Sequence, residues 1–286
     1  MTEPHDLSFG DHRRDAADRR MVYPVLSRRA GGLSVGVNLN LGQECNWACV
    51  YCEVKGLTRG APAPIDLAQL EQELDEVLGE AAKGRWSGAP EQAGAPASIK
   101  DLSIAGDGEP TLSPQFAQAV EVCVRARQRH GLEETASLVV ITNGSRLQDP
   151  EVQAGVDRLH RAGGELWFKL DGGTAATRAL VNGTPIPDAR VEANLRRAAR
   201  SCRTVVQCMV LSVDGRGPTD EDLKGRIEII QRAASAGAPP AGVVVYGLAR
   251  PSHQPGAKRL AALPRDRMAV VGERFRVLDL PLRVVQ

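Results

Sequence analysis

A chain of 286 residues, 42% hydrophobic and 25% charged, can bury a full core and suits one domain in the size range of the α/β barrels. Its net charge of +1 excludes a strong nucleic-acid field, and the first twenty residues contain no apolar stretch long enough for a signal peptide or a membrane span. Six cysteines, three of them crowded together and the others at Cys123, Cys202 and Cys208, suit a reducing cytosol better than a disulfide framework, so a soluble cytoplasmic protein is expected.

Residues 1–21 read as a polar N-terminal tail, frayed over its first twenty residues, and 22–286 as one core domain with a short C-terminal extension. Alternation in 33–41 (LSVGVNLNL) predicts a strand that feeds the crowded cysteines. Leu67, Leu70, Leu74, Val77 and Leu78 recur at helical spacing, so 66–82 is an amphipathic helix with Asp66 as its cap. Residues 84–98 are rich in Gly, Ala and Pro and lack periodicity, which predicts a surface loop or a local insertion.

Strands at 101–104, 138–141, 165–170, 205–211 and 243–248 then alternate with helices at 114–129, 150–162, 189–200 and 221–236. This alternation predicts a parallel sheet with right-handed crossovers. Six strands fall short of the eight units of a closed barrel, so the expected fold is an α/β, TIM-like partial barrel of the (β/α)6 kind.

Cys45, Cys49 and Cys52 stand in the run CNWACVYC. Three thiolates at this spacing fit an iron-sulfur cluster, and three ligands leave one corner of a four-iron cubane open, which points to catalysis. A structural zinc site competes for the same thiolates, but none of the five histidines lies between Met21 and Arg129, and such ligands usually come as two close pairs. A redox dithiol made from CVYC alone would leave Cys45 idle.

In barrels of this kind the chemistry sits where strands end. The second predicted strand runs into AGDGEPTL, where Gly106 and Gly108 let backbone approach a ligand and Glu109 offers charge to an ammonium group; the same residues also make a good turn before a helix. Asn143 in the TNG turn is a candidate contact, or a residue that tolerates a left-handed conformation. Lys169 and Asp171 share one face of LWFKLDGGT, as ligand contacts or as an internal ion pair. Gln207 and Met209 share a face of VVQCMVL, and Tyr246 and Arg250 share one at the end of the sixth strand, where Arg250 suits a carboxylate or phosphate.

The pattern C-x3-C-x2-C with Tyr51 before the last cysteine resembles the signature of the radical SAM superfamily, and the likeness extends over roughly 22–252 through GDGEP, TNG and KLD. The resemblance implies that Cys45, Cys49 and Cys52 hold a [4Fe-4S] cluster, with S-adenosylmethionine on the open iron and Trp47 and Tyr51 giving the loop apolar bulk. It implies that Gly106, Asp107, Gly108 and Glu109 receive the methionine amino group, with Asn143 and Gln207 as further cofactor contacts. Asp171 and Lys169 would meet ribose and carboxylate, and the strand end carrying Tyr246 and Arg250 would flank adenine. The implied activity is that of an iron-sulfur, oxidoreductase-like enzyme: reductive cleavage to a 5'-deoxyadenosyl radical, hydrogen abstraction from a substrate, and an external electron donor such as flavodoxin or ferredoxin.

Within the superfamily, CNWACVYC, GDGEPTL, KLD and ARP look nearest to enzymes related to wybutosine synthesis on transfer RNA. The substrate expectation is therefore a small molecule or transfer RNA. The arginine-rich stretches 12–20 and 27–29 are candidate phosphate contacts, although Asp15 and Asp18 interrupt the first. A non-catalytic iron-sulfur or zinc-binding scaffold is the alternative from another class.

Overall fold

Strand alternation decides the layering of this molecule. Val35, Val37, Leu102, Ile104, Leu166, Phe168, Val206, Cys208 and Val245 face outward into the core under the helices. Their neighbours Ser34, Gly36, Asp101, Ser103, Trp167, Lys169, Met209 and Tyr246 face inward onto a cavity. The computed structural model describes residues 5–7, 19–88 and 98–285. The expectations for the rest of the N-terminal tail and for 89–97 lie outside the described residues.

The strands are β1 (His5–Leu7), β2 (Val22–Ser27), β3 (Gly32–Val37), β4 (Trp86–Gly88), β5 (Ile99–Ile104), β6 (Ser137–Thr142), β7 (Glu165–Lys169), β8 (Arg203–Val210), β9 (Ser212–Val213), β10 (Gly242–Gly247), β11 (Leu260–Ala261) and β12 (Leu282–Val285). The helices are α1 (Leu67–Ala82), α2 (Phe116–Arg129), α3 (Pro150–Arg161), α4 (Ala175–Asn182), α5 (Asp188–Ser201), α6 (Asp220–Ser235) and α7 (Arg265–Phe275). The main sheet runs β12-β10-β8-β7-β6-β5-β3-β2. Its pairings are parallel except the β2–β3 hairpin. The fold is thus the expected α/β partial barrel, with six central parallel strands.

Two edges were not expected: β2 pairs antiparallel to β3, and β12 adds a parallel strand beside β10. Pro24 breaks the apolar alternation of VYPVLS and is tolerated because β2 is an edge. The strand expected over 33–41 stops at Val37, because the Asn38 side chain captures the backbone N–H of Asn40 at 3.0 Å and turns the chain out of the sheet. Part of the stretch expected as loop, Trp86–Gly88, instead pairs in parallel with His5–Leu7. Helices α4 and α7 were also unexpected.

Asp66 caps α1 as expected, its carboxylate accepting the N–H groups of Ala68 and Gln69. Leu70, Leu74 and Leu78 then point into the core, where truncation of one leucine to alanine costs about 2–5 kcal/mol. Glu73 on the same helix is buried and accepts from the backbone N–H groups of Met21 (2.8 Å) and Val22 (3.0 Å), which anchors the start of β2. The two edges meet across the opening of the barrel, where Arg283 Nη2 donates to the carbonyl of Arg29 at 2.7 Å.

Candidate functional site

The inner face of the sheet encloses a cavity of about 280 Å³, and the loop after β3 roofs it with Cys45, Trp47, Cys49, Tyr51 and Cys52. This loop is held from three sides. On the β5 side, Asn40 Nδ2 donates to the carbonyls of Glu44 (3.0 Å) and Glu109 (3.2 Å), and Glu109 N–H donates to Glu44 (3.2 Å). A Cβ on Gly108 would sit 1.9 Å from the Glu44 carbonyl oxygen, so only glycine permits this approach. Gly106 has φ +148°, and a Cβ there would meet Asn38 Cα at 2.9 Å.

On the α4 side, the helix's terminal carbonyls accept from the loop: Ala48 N–H to Asn182 (3.0 Å) and Val50 N–H to Val181 (2.9 Å). Carbonyls that a helix end leaves unpaired thereby gain partners, and the cysteine loop gains a rigid backing. On the third side, Ser252 Oγ donates to the carbonyl of Val50 at 2.6 Å, and the His253 N–H donates to Cys52 at 3.0 Å.

None of the three loop cysteines is in a disulfide, and neither are the buried Cys123, Cys202 and Cys208. Cys45 Sγ accepts from Trp47 N–H at 3.4 Å and Cys49 Sγ from Asn182 Nδ2 at 3.3 Å. Burial, then Glu109, pushes the Cys45 thiol up to about 12; burial pushes Cys49 up to about 11, against the pull of Lys169. The neighbouring cysteines add a smaller upward push to Cys45 (from Cys49 and Cys52) and to Cys49 (from Cys52). Among the described residues no three His, Cys, Asp or Glu side chains converge on a single metal ion. One zinc would need sulfurs about 2.3 Å from a common point, whereas a cubane spreads its irons over separate corners.

Behind the loop lies a buried polar chain. Lys169 Nζ donates to Tyr51 Oη at 2.6 Å and lies 3.4 Å from Asp171 Oδ2. Asp171 accepts from the Tyr51 hydroxyl, from Asn182 Nδ2 at 3.0 Å and from Met209 N–H at 3.0 Å. Burial is the largest single influence on both and opposes both charges, but the other causes together outweigh it. Asp171, with Tyr246 and Cys49, holds Lys169 above its ordinary range, and Lys169, with the hydrogen bonds from Tyr51, Met209 and Asn182, holds Asp171 below the usual carboxylate range. Burial, then Asp171, raises the Tyr51 phenol well above its ordinary value, so Tyr51 stays a neutral donor.

Glu109 is 3% exposed and faces the cavity. Its carboxylate accepts from Thr111 Oγ1 and Thr142 Oγ1 (both 2.6 Å), Thr111 N–H (3.2 Å) and Asn143 N–H (2.8 Å). Burial still raises its pKa against all four bonds, which leaves it receptive to a cation.

The structure brings Tyr51, Gly106, Gly108, Glu109, Asn143, Lys169, Tyr246 and Arg250 to the cavity with the three cysteines. Asp107, Asp171 and Gln207 are not among the residues that line it. Asp107 is held by Asn38 Nδ2 at 2.8 Å, and Gln207 Oε1 accepts from Arg29. The left-handed residue of the TNG turn is Gly144, at φ +72°, so Asn143 does not take that role. Its side chain instead donates to Asn46 Oδ1 at 2.8 Å. Sequence reading missed Asn38, Asn40 and Asn182; the only sequence signal for the first two is asparagine at alternate positions where the strand ends.

The Radical SAM superfamily matches residues 39–230, and the chain belongs to that superfamily. The cofactors of that superfamily are a [4Fe-4S] cluster and S-adenosylmethionine. "UPF0026 proteins" of two Helicobacter pylori strains are 31% identical over 132 residues, 46% of this chain and 36% of theirs. The match thus spans about a third of the length of those relatives. Among solved structures, the histidine-tagged anSMEcpe with bound AdoMet is similar in fold, with TM-score 0.53 and 14% identity over 88% of this chain and 63% of that one. A domain of a pyruvate-formate lyase-activating enzyme from Bacteroides vulgatus ATCC 8482 matches at TM-score 0.43 and 16% identity, over 65% of this chain and 98% of that one.

The residues present fit the cluster. Three cysteines outside any disulfide line the one cavity, and two of their sulfurs already accept N–H groups of the kind that stabilise thiolate ligands. Since burial holds Cys45 and Cys49 protonated, loading must release their protons.

Proposed function

We infer that Cys45, Cys49 and Cys52 are the cluster ligands of a substrate-oxidising radical SAM enzyme. The observation that carries this reading is one shared cavity lined by the three thiols, by the glycine-rich end of β5 and by Glu109. When bound, the cluster and S-adenosylmethionine supply one-electron cleavage of a sulfonium and removal of hydrogen from the substrate.

The chain's own residues bind and orient. Gly106 and Gly108 admit the cofactor's methionine end close to backbone, and Glu109 receives its ammonium group. Lys169 offers a cation to the carboxylate, Asn143 lies within reach of the same end, and Tyr246 and Arg250 border the opposite wall. Asp107, Asp171 and Gln207 act through other groups: Asp107 fixes Asn38, Asp171 fixes Tyr51 and Lys169, and Gln207 fixes Arg29. Trp47, Tyr51 and Met209 close an apolar patch around the cysteines that keeps water away.

The electron comes from a small carrier of the flavodoxin or ferredoxin kind, in a cytoplasmic setting. Among the described residues no helix is long and apolar enough to cross a membrane. The substrate is a small molecule. Transfer RNA is the second reading, favoured by the combination of CNWACVYC, GDGEPTL, KLD and ARP that resembles the wybutosine-related subgroup.

Anaerobic reconstitution tests the central reading. The expected result is about four irons per chain and 5'-deoxyadenosine formed from S-adenosylmethionine with dithionite. A colourless, zinc-loaded chain that forms no 5'-deoxyadenosine would overturn it in favour of a scaffold. Incubation with unmodified transfer RNA separates the two substrate readings.

A further inference from the structure

We propose that Arg28, Arg29 and Arg250 form a receiving site for an anionic group, carboxylate or phosphate, of a small substrate. This deepens the reading above and rests on it for the word substrate. All three arginines line the cavity that the cysteines roof. All three also lie outside residues 39–230, the part shared with the superfamily, where features particular to this chain are to be sought.

The turn between β2 and β3 delivers the first two. Gly31 takes φ +75°, Ser27 Oγ accepts from Ala30 N–H at 3.1 Å, and the tight turn presents consecutive arginines to the cavity. Arg29 is held entirely by neutral groups. Its guanidinium donates to Gln207 Oε1 and lies over the rings of Tyr246 (5.5 Å) and Trp167 (5.9 Å). Such contacts fix the plane of the guanidinium without neutralising its charge, and Asp101 acts on it only from beyond ion-pair distance.

Among the described residues neither Arg28 nor Arg29 has a carboxylate within ion-pair distance, and the Arg28 side chain has no hydrogen-bond partner. Arg250 pairs with Glu53, Nε to Oε2, at 2.7 Å. Burial, followed by the charges of Arg250 and Arg29, holds Arg28 below its ordinary range, and Glu53 only partly offsets them. Among the described residues, Arg28 and Arg29 thus add two guanidinium charges beside the Arg250–Glu53 pair in a half-buried site. The other nearby acid, Asp101, accepts from Ser34 Oγ. Like charges gathered at low dielectric repel, and an entering anion relieves that repulsion while accepting the paired N–H groups Arg28 leaves free.

Isothermal titration calorimetry on the reconstituted full chain at low salt tests the site, with inorganic phosphate and succinate as separate probes. The expected result is saturable binding of one probe, one per chain, weakened at least tenfold by Arg28→Gln; which probe saturates assigns phosphate or carboxylate. Arg28→Lys, which keeps the charge and loses the paired donors, is the second variant, with a several-fold loss. Absence of binding by both probes, or equal affinity in wild type and R28Q, would overturn the proposal. Failure of the wild type to form 5'-deoxyadenosine sinks the radical reading alone, because the calorimetry does not depend on turnover.

Discussion

Asn182 Nδ2 donates to Cys49 Sγ at 3.3 Å across 133 residues of sequence, and to Asp171 Oδ2 at 3.0 Å. The amide therefore couples the sulfur proposed as a cluster ligand to the buried Lys169–Asp171 pair. An N–H aimed at a ligand sulfur favours the reduced, more negative cluster and raises its potential. Asn182→Ala is expected to lower the midpoint potential measured by redox titration with EPR detection. An unchanged potential in a variant with full iron content would show that the hydrogen bond plays no part in tuning.

Gly108 is where β5's end touches the cysteine loop. A methyl group there would stand 1.9 Å from the Glu44 carbonyl oxygen and 2.7 Å from Asn40 Cγ, both fixed by their own hydrogen bonds. Gly108→Ala must push the loop outward, so it is expected to lose most of its iron after reconstitution while its circular dichroism stays native. Full iron incorporation in G108A would mean that the loop adapts freely.

What was legible in the sequence was what local chemistry determines. The helix at Leu67–Ala82 and its Asp66 cap follow from a periodic stripe and one side chain, and three cysteines at fixed spacing announce their ligand set without tertiary context. The contacts that complete the site are not local. Asn182 ends an eight-residue helix, AATRALVN, too short to show a period, and the reach from Arg29 to Gln207 crosses 178 residues. The edge strand at Val22–Ser27 was hidden by Pro24, whose missing donor matters only in a central strand. For strand-end residues such as Asp171 and Gln207, alternation gives a face but not the hydrogen-bond partners each one meets there.

Asp101 makes stability depend on pH. Burial raises its carboxyl from 3.8 to about 6, against the hydroxyl of Ser34 and the charge of Arg29. The folded chain therefore holds this proton more tightly than the unfolded chain does. The stabilisation is fully present below the unfolded value and is lost as pH rises through about 6. Asp101→Asn has no proton to lose, so relative to it the wild type should weaken by about 1 kcal/mol between pH 5 and pH 8. Urea unfolding of both proteins at the two pH values measures this, and parallel behaviour would refute the assignment.

Arg178 is 1% exposed and holds the segment that backs the cysteine loop. Its guanidinium donates to the carbonyls of Ile186 (2.7 Å) and Gly172 (2.9 Å) and pairs with Asp188, tying the start of α4 to the start of α5. Replacement by alanine opens a cavity and leaves two carbonyls without their donor, a loss of about 3 kcal/mol. Since α4 ends in the carbonyls that receive Ala48 and Val50, the damage should travel to the cluster site. Arg178→Ala is expected both to unfold at lower urea and to shed iron faster under a chelator than wild type. Arg178→Lys should recover part of the stability, because one cation can still reach one or two of the three acceptors. Loss of stability with an unaltered rate of iron release would separate the two roles and show that α4 keeps its end fixed without Arg178.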